Sequence, residues 1–278
     1  MNTIRLQQNR MNPLVLPVIL AKELGIFDNY QVSVDLTLSD DFVFNGKKAF
    51  LENQVDAIMG DTTFYFYYQD EGKEAMITST LTRTIQLVGV TNWQDLPELT
   101  VGINRTGLFR FFVDTYLNTL LPPTSYHFIN NTYERMAALE NGDIQALVAI
   151  EPFITQVLSQ ENTEIIWHSN EIDACFVMWC FDKRFIERFP QTVKNFHLAL
   201  EDAAHYFNSK TNQEKISLIA QHCKLDHKKA KTYESFVFEP QQNYSVHDFN
   251  LCQNWMLNTL EITKKTTSDE GIFKTFSH

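Results

Sequence analysis

One short pattern occurs twice in this sequence, at residues 51–61 and again at residues 139–151. Each copy reads as a helix end, a tight polar turn, a short apolar strand and then a carboxylate, which is Asp61 in the first copy and Glu151 in the second. Another helical pattern begins at each carboxylate. Because ligands bind at the carboxyl ends of strands in open α/β sheets, the repeat predicts two similar α/β lobes with both carboxylates facing a shared cleft.

Length and charge narrow the classes of function. A chain of 278 residues can bury the core of two domains or of one large α/β domain. The net charge of -11 argues against a nucleic-acid partner, because binding to phosphates depends on clustered Lys and Arg. No apolar run is long enough to span a membrane, and residues 3–6 read as a strand instead of a signal peptide. These features predict a cytoplasmic protein or one whose leader has been removed.

The sequence predicts no metal and no cofactor. It contains no phosphate-binding glycine loop and no zinc-protease or nucleophile-elbow motif. His222 and His227 fall on different faces of the helical pattern, so they do not form a pair of metal ligands. The four cysteines have no zinc-like spacing. Cys175 and Cys180 are expected on one strand with their side chains on opposite faces, so they are predicted to be buried thiols that do not bridge each other. The other two are Cys223 and Cys252.

Alternation of strands and helices along the chain predicts parallel sheets and two crossings between the lobes. A polar link at residues 92–99 is the first expected crossing, and an apolar strand near residues 175–182 is the return. Lobe I is therefore expected to contain residues 1–91 and 182–278, with a helical C-terminal part, and lobe II to contain residues 92–181.

Candidate ligand-binding residues stand mainly at predicted strand ends or in the loops that follow. The predicted set is Gln8, Asn9, Arg10, Asp61, Thr62, Arg83, Thr106, Gly107, Asn131, Glu151 and Trp179. The turn at Thr106 and Gly107 is a candidate cradle for an anion, since it precedes a helix with free amides. Arg10 and Arg83 fit either a salt bridge or a ligand contact, and Trp179 fits either the core or a stacking platform.

Two features of the first repeat each admit two interpretations. Asp61 and Glu151 could act as a general acid and base, but capping a helix and accepting hydrogen bonds from a ligand is the favoured role. The aromatic run at residues 64–68 predicts a helix wedged between the core and the cleft wall, with ligand stacking as the alternative. No catalytic residue is therefore assigned.

Several segments resemble type II periplasmic-binding proteins, within the group of ABC-transporter receptors for thiamine pyrimidine precursors, alkanesulfonates, taurine and nitrate. The segments are residues 16–27, 51–57, 139–152 and 185–193, with Ala199 and Leu200. The resemblance implies a two-lobed α/β clamshell, with each lobe a sheet flanked by helices, that holds a small polar or heteroaromatic ligand between the lobes. It also implies an ABC permease in the membrane as partner, an extracytoplasmic location and a monomeric receptor without enzymatic activity.

One branch of that family, the thiamine-pyrimidine synthases, provides an enzymatic alternative on the same scaffold. In that branch a lysine and a histidine follow the strand that resembles Asp56 and Ala57. The matching positions here are close to Gly60 and Phe64, and no cysteine-rich run replaces residues 175–180. The departure argues against the synthase activity, and Arg10 after Asn9 leaves anionic ligands open beside the pyrimidine.

Overall fold

A computed structural model describes residues 2–39, 46–151 and 153–277. The chain divides into two units that each have their own sheet. Unit 1 contains Met1–Thr82, Cys175–Gln253 and Ile262–His278, and unit 2 contains Arg83–Ala174 and Asn254–Glu261. The two sheets flanked by helices confirm the expected two-lobed α/β class.

The ten described strands divide equally between the two sheets. In chain order they are β1 (Asn2–Asn9), β2 (Val32–Ser39), β3 (Ala57–Asp61), β4 (Ala75–Thr80), β5 (Gln86–Val90), β6 (Leu99–Ile103), β7 (Thr124–Phe128), β8 (Ala146–Ala149), β9 (Thr163–His168) and β10 (Val177–Asp182).

Described α-helices connect and cover these strands. They are α1 (Leu16–Glu23), α2 (Ile26–Asn29), α3 (Gly46–Leu51), α4 (Thr62–Asp70), α5 (Leu108–Phe112), α6 (Thr132–Glu140), α7 (Phe153–Leu158), α8 (Lys183–Arg188), α9 (Pro190–Asn208), α10 (Asn212–His222), α11 (His227–Lys231), α12 (Val246–Asn258) and α13 (Ser268–Gly271). Within the described residues, none of the helices is long and apolar enough to cross a membrane.

Both sheets have the same topology. In unit 1 the order is β2-β1-β3-β10-β4, and in unit 2 it is β7-β6-β8-β5-β9. In each sheet three parallel strands are followed by one strand that pairs antiparallel on both sides, β10 in unit 1 and β5 in unit 2. The two copies of the sequence repeat supply the matching strands β3 and β8, which explains why the pattern occurs twice.

The units differ from the expected lobes at two strands. β5 was expected in lobe I but pairs with β8 and β9 in unit 2, and β10 was expected in lobe II but pairs with β3 and β4 in unit 1. The chain changes unit between Thr82 and Arg83 and between Ala174 and Cys175, and residues 254–261 of the C-terminal part also lie in unit 2. Both strands are short and apolar, so their hydrophobicity does not specify which sheet they enter.

Each unit has its own apolar core. In unit 1, α1 and α9 cover one face of the sheet through chains such as Leu20, Phe196 and Leu200, all at most 1% exposed. In unit 2, Leu139 and Ile154 bring α6 and α7 onto β8 and β5. Burying each such side chain contributes about 1.5–3 kcal/mol, so the core of each unit holds its strand ends in fixed positions.

Candidate functional site

Unit 1 brings the ends of β1 and β3 to the same edge of its sheet, because these two strands pair in parallel. Asn9 ends β1, and its Oδ1 accepts a hydrogen bond from the Met11 amide at 2.8 Å. The Arg10 amide donates to the carbonyl of Ser39 at the end of β2. Gln8 is buried, and its Nε2 has no partner among the described residues. Its amide is a hydrogen-bond donor that the protein's described groups leave unsatisfied.

Asp61 caps α4 as predicted. Its Oδ1 accepts hydrogen bonds from the amides of Thr63 at 2.9 Å and Phe64 at 3.2 Å. Thr62 is fully buried, and its hydroxyl donates to the Phe176 carbonyl at 3.0 Å and also bonds Tyr244. The capping bonds satisfy amides that a helix start leaves without intrahelical partners. The start of α4 is thus held at the end of β3.

The aromatic run of α4 faces two environments. Tyr65, Phe66 and Tyr68 are buried, and Phe249 of α12 packs against the rings of Tyr65 and Phe66. Phe64 is 42% exposed at the first turn of the helix. Most of the run therefore belongs to the core of unit 1, and Phe64 is the ring with the largest accessible face. The remaining choice between cleft wall and ligand stacking applies to Phe64.

In unit 2, the turn after β6 already bonds a carboxylate. Thr106 is exposed, and Gly107 has φ +80°, a conformation that L side chains rarely adopt. The Gly107 amide donates to the carboxylate of Glu261, at 3.0 Å to Oε2 and 3.3 Å to Oε1. The amide at the predicted anion site thus donates to an anionic oxygen, and this oxygen is supplied by Glu261 of the same unit.

Asn131 caps α6 at the end of the loop that follows β7. Its Oδ1 accepts from the amides of Tyr133 at 2.9 Å and Glu134 at 3.2 Å, so this side chain fixes the start of the helix. The side chain is exposed at this position. The single side-chain oxygen of Asn131 is used for capping, and the amide nitrogen of the same side chain is a donor at the surface.

Arg135, on the same helix, was not among the predicted site residues. Its guanidinium is buried, bonds Asn104, and donates to the Ile129 carbonyl at 2.7 Å and the Thr132 hydroxyl at 2.8 Å. No carboxylate pairs with it among the described residues, and burial lowers its pKa to about 10. Through these bonds Arg135 fixes the loops after β6 and β7. It was not predicted as a site residue because one arginine in a helix is most often an exposed surface residue.

Glu151 lies between the end of β8 and the start of α7. Its Oε2 accepts from the Thr155 hydroxyl at 2.9 Å and from the Thr155 amide at 3.2 Å. Pro152, a residue type that favours the first position of a helix, lies outside the described residues. The carboxylate is partly exposed and holds the first turn of α7, as the capping interpretation expects.

The remaining two predicted residues lie in different surroundings. Arg83 precedes β5, which begins beside the end of β8, and its Nη1 donates to the Ile172 carbonyl at 2.7 Å. Trp179 is 1% exposed beneath α9, where its ring meets Phe196 edge-on at a centroid distance of 5.2 Å. The structure therefore places Trp179 in the core of unit 1, one of the two surroundings expected for it.

Each unit therefore collects its predicted polar residues at one edge, which we call the strand-end edge of that unit. The edge of unit 1 contains Gln8, Asn9, Arg10, Asp61 and Thr62, and the edge of unit 2 contains Arg83, Thr106, Gly107, Asn131 and Glu151. Sequence reasoning missed Gln86 in this second edge. Its Oε1 is buried without a partner among the described residues, and a glutamine inside an apolar run is the signal that could have identified it.

The part of the chain that the structure describes contains no candidate metal site and no disulfide. Within residues 2–39, 46–151 and 153–277, no group of His, Cys, Asp and Glu side chains is arranged to hold a metal ion. All four cysteines are free thiols. Cys180 is buried as predicted, whereas Cys175 is only partly buried, because it lies just before β10. Burial raises the pKa of Cys223 to about 12. The two positions that match the lysine and histidine of the synthases are Gly60, which lies within β3, and Phe64, which lies in the first turn of α4.

Comparisons with known proteins identify the fold. The chain resembles the periplasmic aliphatic sulphonate binding protein of Escherichia coli, with a TM-score of 0.80 and 11% identity, over 98% of this chain and 97% of that one. It also resembles the periplasmic nitrate-binding protein of Synechocystis, with a TM-score of 0.63 and 13% identity, over 87% of this chain and 71% of that one.

A third solved structure names the fold in general terms. It is a conserved Candida albicans gene product with the generic periplasmic binding protein fold, and it matches with a TM-score of 0.65 and 14% identity, over 97% of this chain and 94% of that one. No family model and no curated protein matches the sequence. The chain therefore has the periplasmic-binding-protein fold, as the sequence resemblance implied.

Proposed function

We propose that this protein is a solute-binding receptor of an ABC importer and has no enzymatic activity. The observation that carries the proposal is the structural likeness, over nearly the whole chain, to proteins described as sulphonate-binding and nitrate-binding. In this proposal the solute is small and polar or heteroaromatic, such as a sulfonate, nitrate or a thiamine pyrimidine precursor. The receptor is an extracytoplasmic monomer, and its partner is a membrane permease.

The strand-end edges supply the chemistry that such a solute requires. Each edge combines a helix-capping carboxylate with hydrogen-bond donors, including the unsatisfied Gln8 amide in unit 1 and the exposed Asn131 amide in unit 2. Ligand sites with few, well-placed polar groups gain specificity from donors and acceptors held by rigid elements. Asp61 and Glu151 are held in this way, because each already bonds the first turn of a helix.

A thermal-shift screen of the full chain tests the proposal. The panel contains taurine, ethanesulfonate, nitrate and 4-amino-5-hydroxymethyl-2-methylpyrimidine. We expect saturable stabilisation by one class, because a ligand at a hundred times its Kd stabilises the folded state by about 2.7 kcal/mol. Mass spectrometry of the same mixtures checks for turnover. Consumption of a compound without saturable stabilisation would refute the receptor and favour an enzyme.

Glu151→Ala tests the proposed ligand contact in unit 2. We expect roughly tenfold weaker binding, since hydrogen bonds to a charged group contribute about 1.5–3 kcal/mol. Thr155→Val is the matched control, because it removes the hydroxyl that Glu151 bonds within the helix but keeps the carboxylate. Parent-like affinity of Glu151→Ala would show that Glu151 does not contact the solute. An equal loss in Thr155→Val would assign the effect to the start of α7, which both side chains hold.

A further inference from the structure

Unit 1 contains a cavity whose lining is made almost entirely of residues outside the predicted ligand-binding set. Its volume is about 260 Å³, and it lies between α1, α9 and the segment at residues 237–241. Pro17, Trp179, Leu200 and Phe238 form much of its apolar wall. Trp179 is the one predicted ligand-binding residue in this lining. All of the lining residues belong to unit 1, so the cavity is complete within that unit.

Hydrogen bonds fix the position of the segment that covers the cavity. The side chain of Asn208, on α9, makes two hydrogen bonds to the backbone of Phe238. Its Nδ2 donates to the Phe238 carbonyl at 2.8 Å, and its Oδ1 accepts from the Phe238 amide at 2.9 Å. The Glu239 amide donates to the Thr82 hydroxyl at 3.0 Å. Residues 237–241 are therefore fastened to α9 and to the chain after β4. Since this segment cannot move inward without breaking these bonds, the space beneath it persists.

The charged side chains that line the cavity favour a ligand with a positive charge. Glu201 and Glu239 line it, whereas no Lys or Arg is present among the described residues of its lining. Burial, together with the nearby Asp202, raises the pKa of Glu201, and His205 opposes the increase. A carboxylate that has lost part of its water gains more from a cationic partner than an exposed carboxylate does.

We propose that this cavity binds a small organic amine, whose apolar body fills the space between α1 and α9 and whose ammonium group contacts Glu201. A cavity of about 150 Å³ accommodates benzene, so 260 Å³ accommodates an aromatic ring with a short aminoalkyl chain. The apolar lining stabilises the ring, and the two carboxylates distinguish an amine from an alcohol or an acid. This site goes beyond the proposed receptor function, because it needs neither strand-end edge.

Isothermal titration of the full chain with three probes of similar shape tests the charge preference. The probes are phenethylamine, 2-phenylethanol and 3-phenylpropanoate. We expect the amine to bind roughly tenfold more tightly than the alcohol, as a desolvated charge pair allows, and the anion to show no binding. Equal binding of the amine and the anion, or no binding of the amine at millimolar concentration, would overturn the proposal.

Two variants test the location. Glu201→Gln keeps the shape of the side chain, and we expect it to weaken phenethylamine binding about fivefold; Glu187→Gln, on exposed α8, is the matched control and should have no effect. Ala204→Leu should fill part of the cavity and abolish binding. If it does not fold, Glu201→Gln still decides the question, because unchanged affinity in that variant overturns the proposal.

The outcome is separable from that of the receptor proposal. Glu151→Ala lies in unit 2 and should leave phenethylamine binding unchanged. Loss of amine binding in Glu151→Ala would place the amine at the strand-end edge and overturn the assignment to the cavity. Consumption of a panel compound without saturable stabilisation, with amine binding intact, would refute the receptor while supporting the cavity.

Discussion

His197 makes unit 1 sensitive to acid in a way that can be measured. The imidazole is fully buried on α9, where Nε2 lies 2.9 Å from the Thr78 hydroxyl and Nδ1 lies 2.7 Å from Oε1 of Gln241. The Ser79 hydroxyl is 3.2 Å from Nδ1. Burial lowers the pKa of His197 to about 4, although the bond to Gln241 acts in the opposite direction. The folded protein therefore holds this histidine neutral.

The sign and size of the effect follow from proton linkage. An unfolded chain protonates His197 near its ordinary pKa of 6.5, whereas the folded chain does so only near 4. The neutral histidine's contribution to stability is thus complete above pH 6.5 and is lost as the pH falls towards 4. Each pKa unit corresponds to about 1.4 kcal/mol. Protonation of His197 should therefore lower the free energy of unfolding by about 3 kcal/mol as the pH falls from 6.5 to 4.

Urea denaturation followed by circular dichroism at several pH values between 7 and 4 measures this loss. The variant His197→Gln retains hydrogen-bonding groups but cannot titrate, so its free energy of unfolding should fall by about 3 kcal/mol less than that of the parent. His205→Gln, which changes an exposed histidine of the same helix, is the control. Parallel pH curves for the parent and His197→Gln would refute the assignment.

Three further changes should reduce stability, each measurable by urea denaturation at pH 7. Lys73→Met removes the ammonium group that lies 2.6 Å from the buried carboxylate of Asp182 and leaves the exposed Arg184, at 3.5 Å, as its cationic partner, so it should cost about 3 kcal/mol. The double variant with Asp182→Asn should recover part of this loss. Asp61→Ala removes the cap of α4 and should cost about 1 kcal/mol, whereas Asp61→Asn should cost less. Gly89→Ala would place a Cβ 2.4 Å from the Gln145 carbonyl and should cost about 1–3 kcal/mol.

Local features of the fold were predictable because they depend on neighbouring residues. The caps at Asp61 and Asn131 bond amides two and three residues away, so the residue type and its place before a helical pattern are sufficient to predict them. The repeat predicted equivalent strands in two sheets for the same reason. Helix, turn, strand and carboxylate follow one another directly, so β3 and β8 could be matched before any pairing was known.

Choices made over long distances could not be predicted from the same patterns. β5 and β10 are each inserted antiparallel between two strands of a sheet, and this placement depends on partners far away in sequence. Trp179 illustrates the same limit for a single residue. Its position on a strand was predicted, but the helix that covers it begins after β10, and only the packing of Phe196 shows that the indole is buried.

The turn at Gly107 shows how local and distant information combine at the candidate site. A glycine before a helix predicted an amide able to bond an anion, and the structure contains that bond. Its acceptor, Glu261, is 154 residues away. Glu261 ends the segment of residues 254–261, which belongs to unit 2, although the chain before and after this segment belongs to unit 1. An anionic solute at this turn must therefore compete with the protein's own carboxylate. Donors that make no bond to a carboxylate, such as the Asn131 amide nitrogen, are accordingly the better candidates for solute recognition in unit 2.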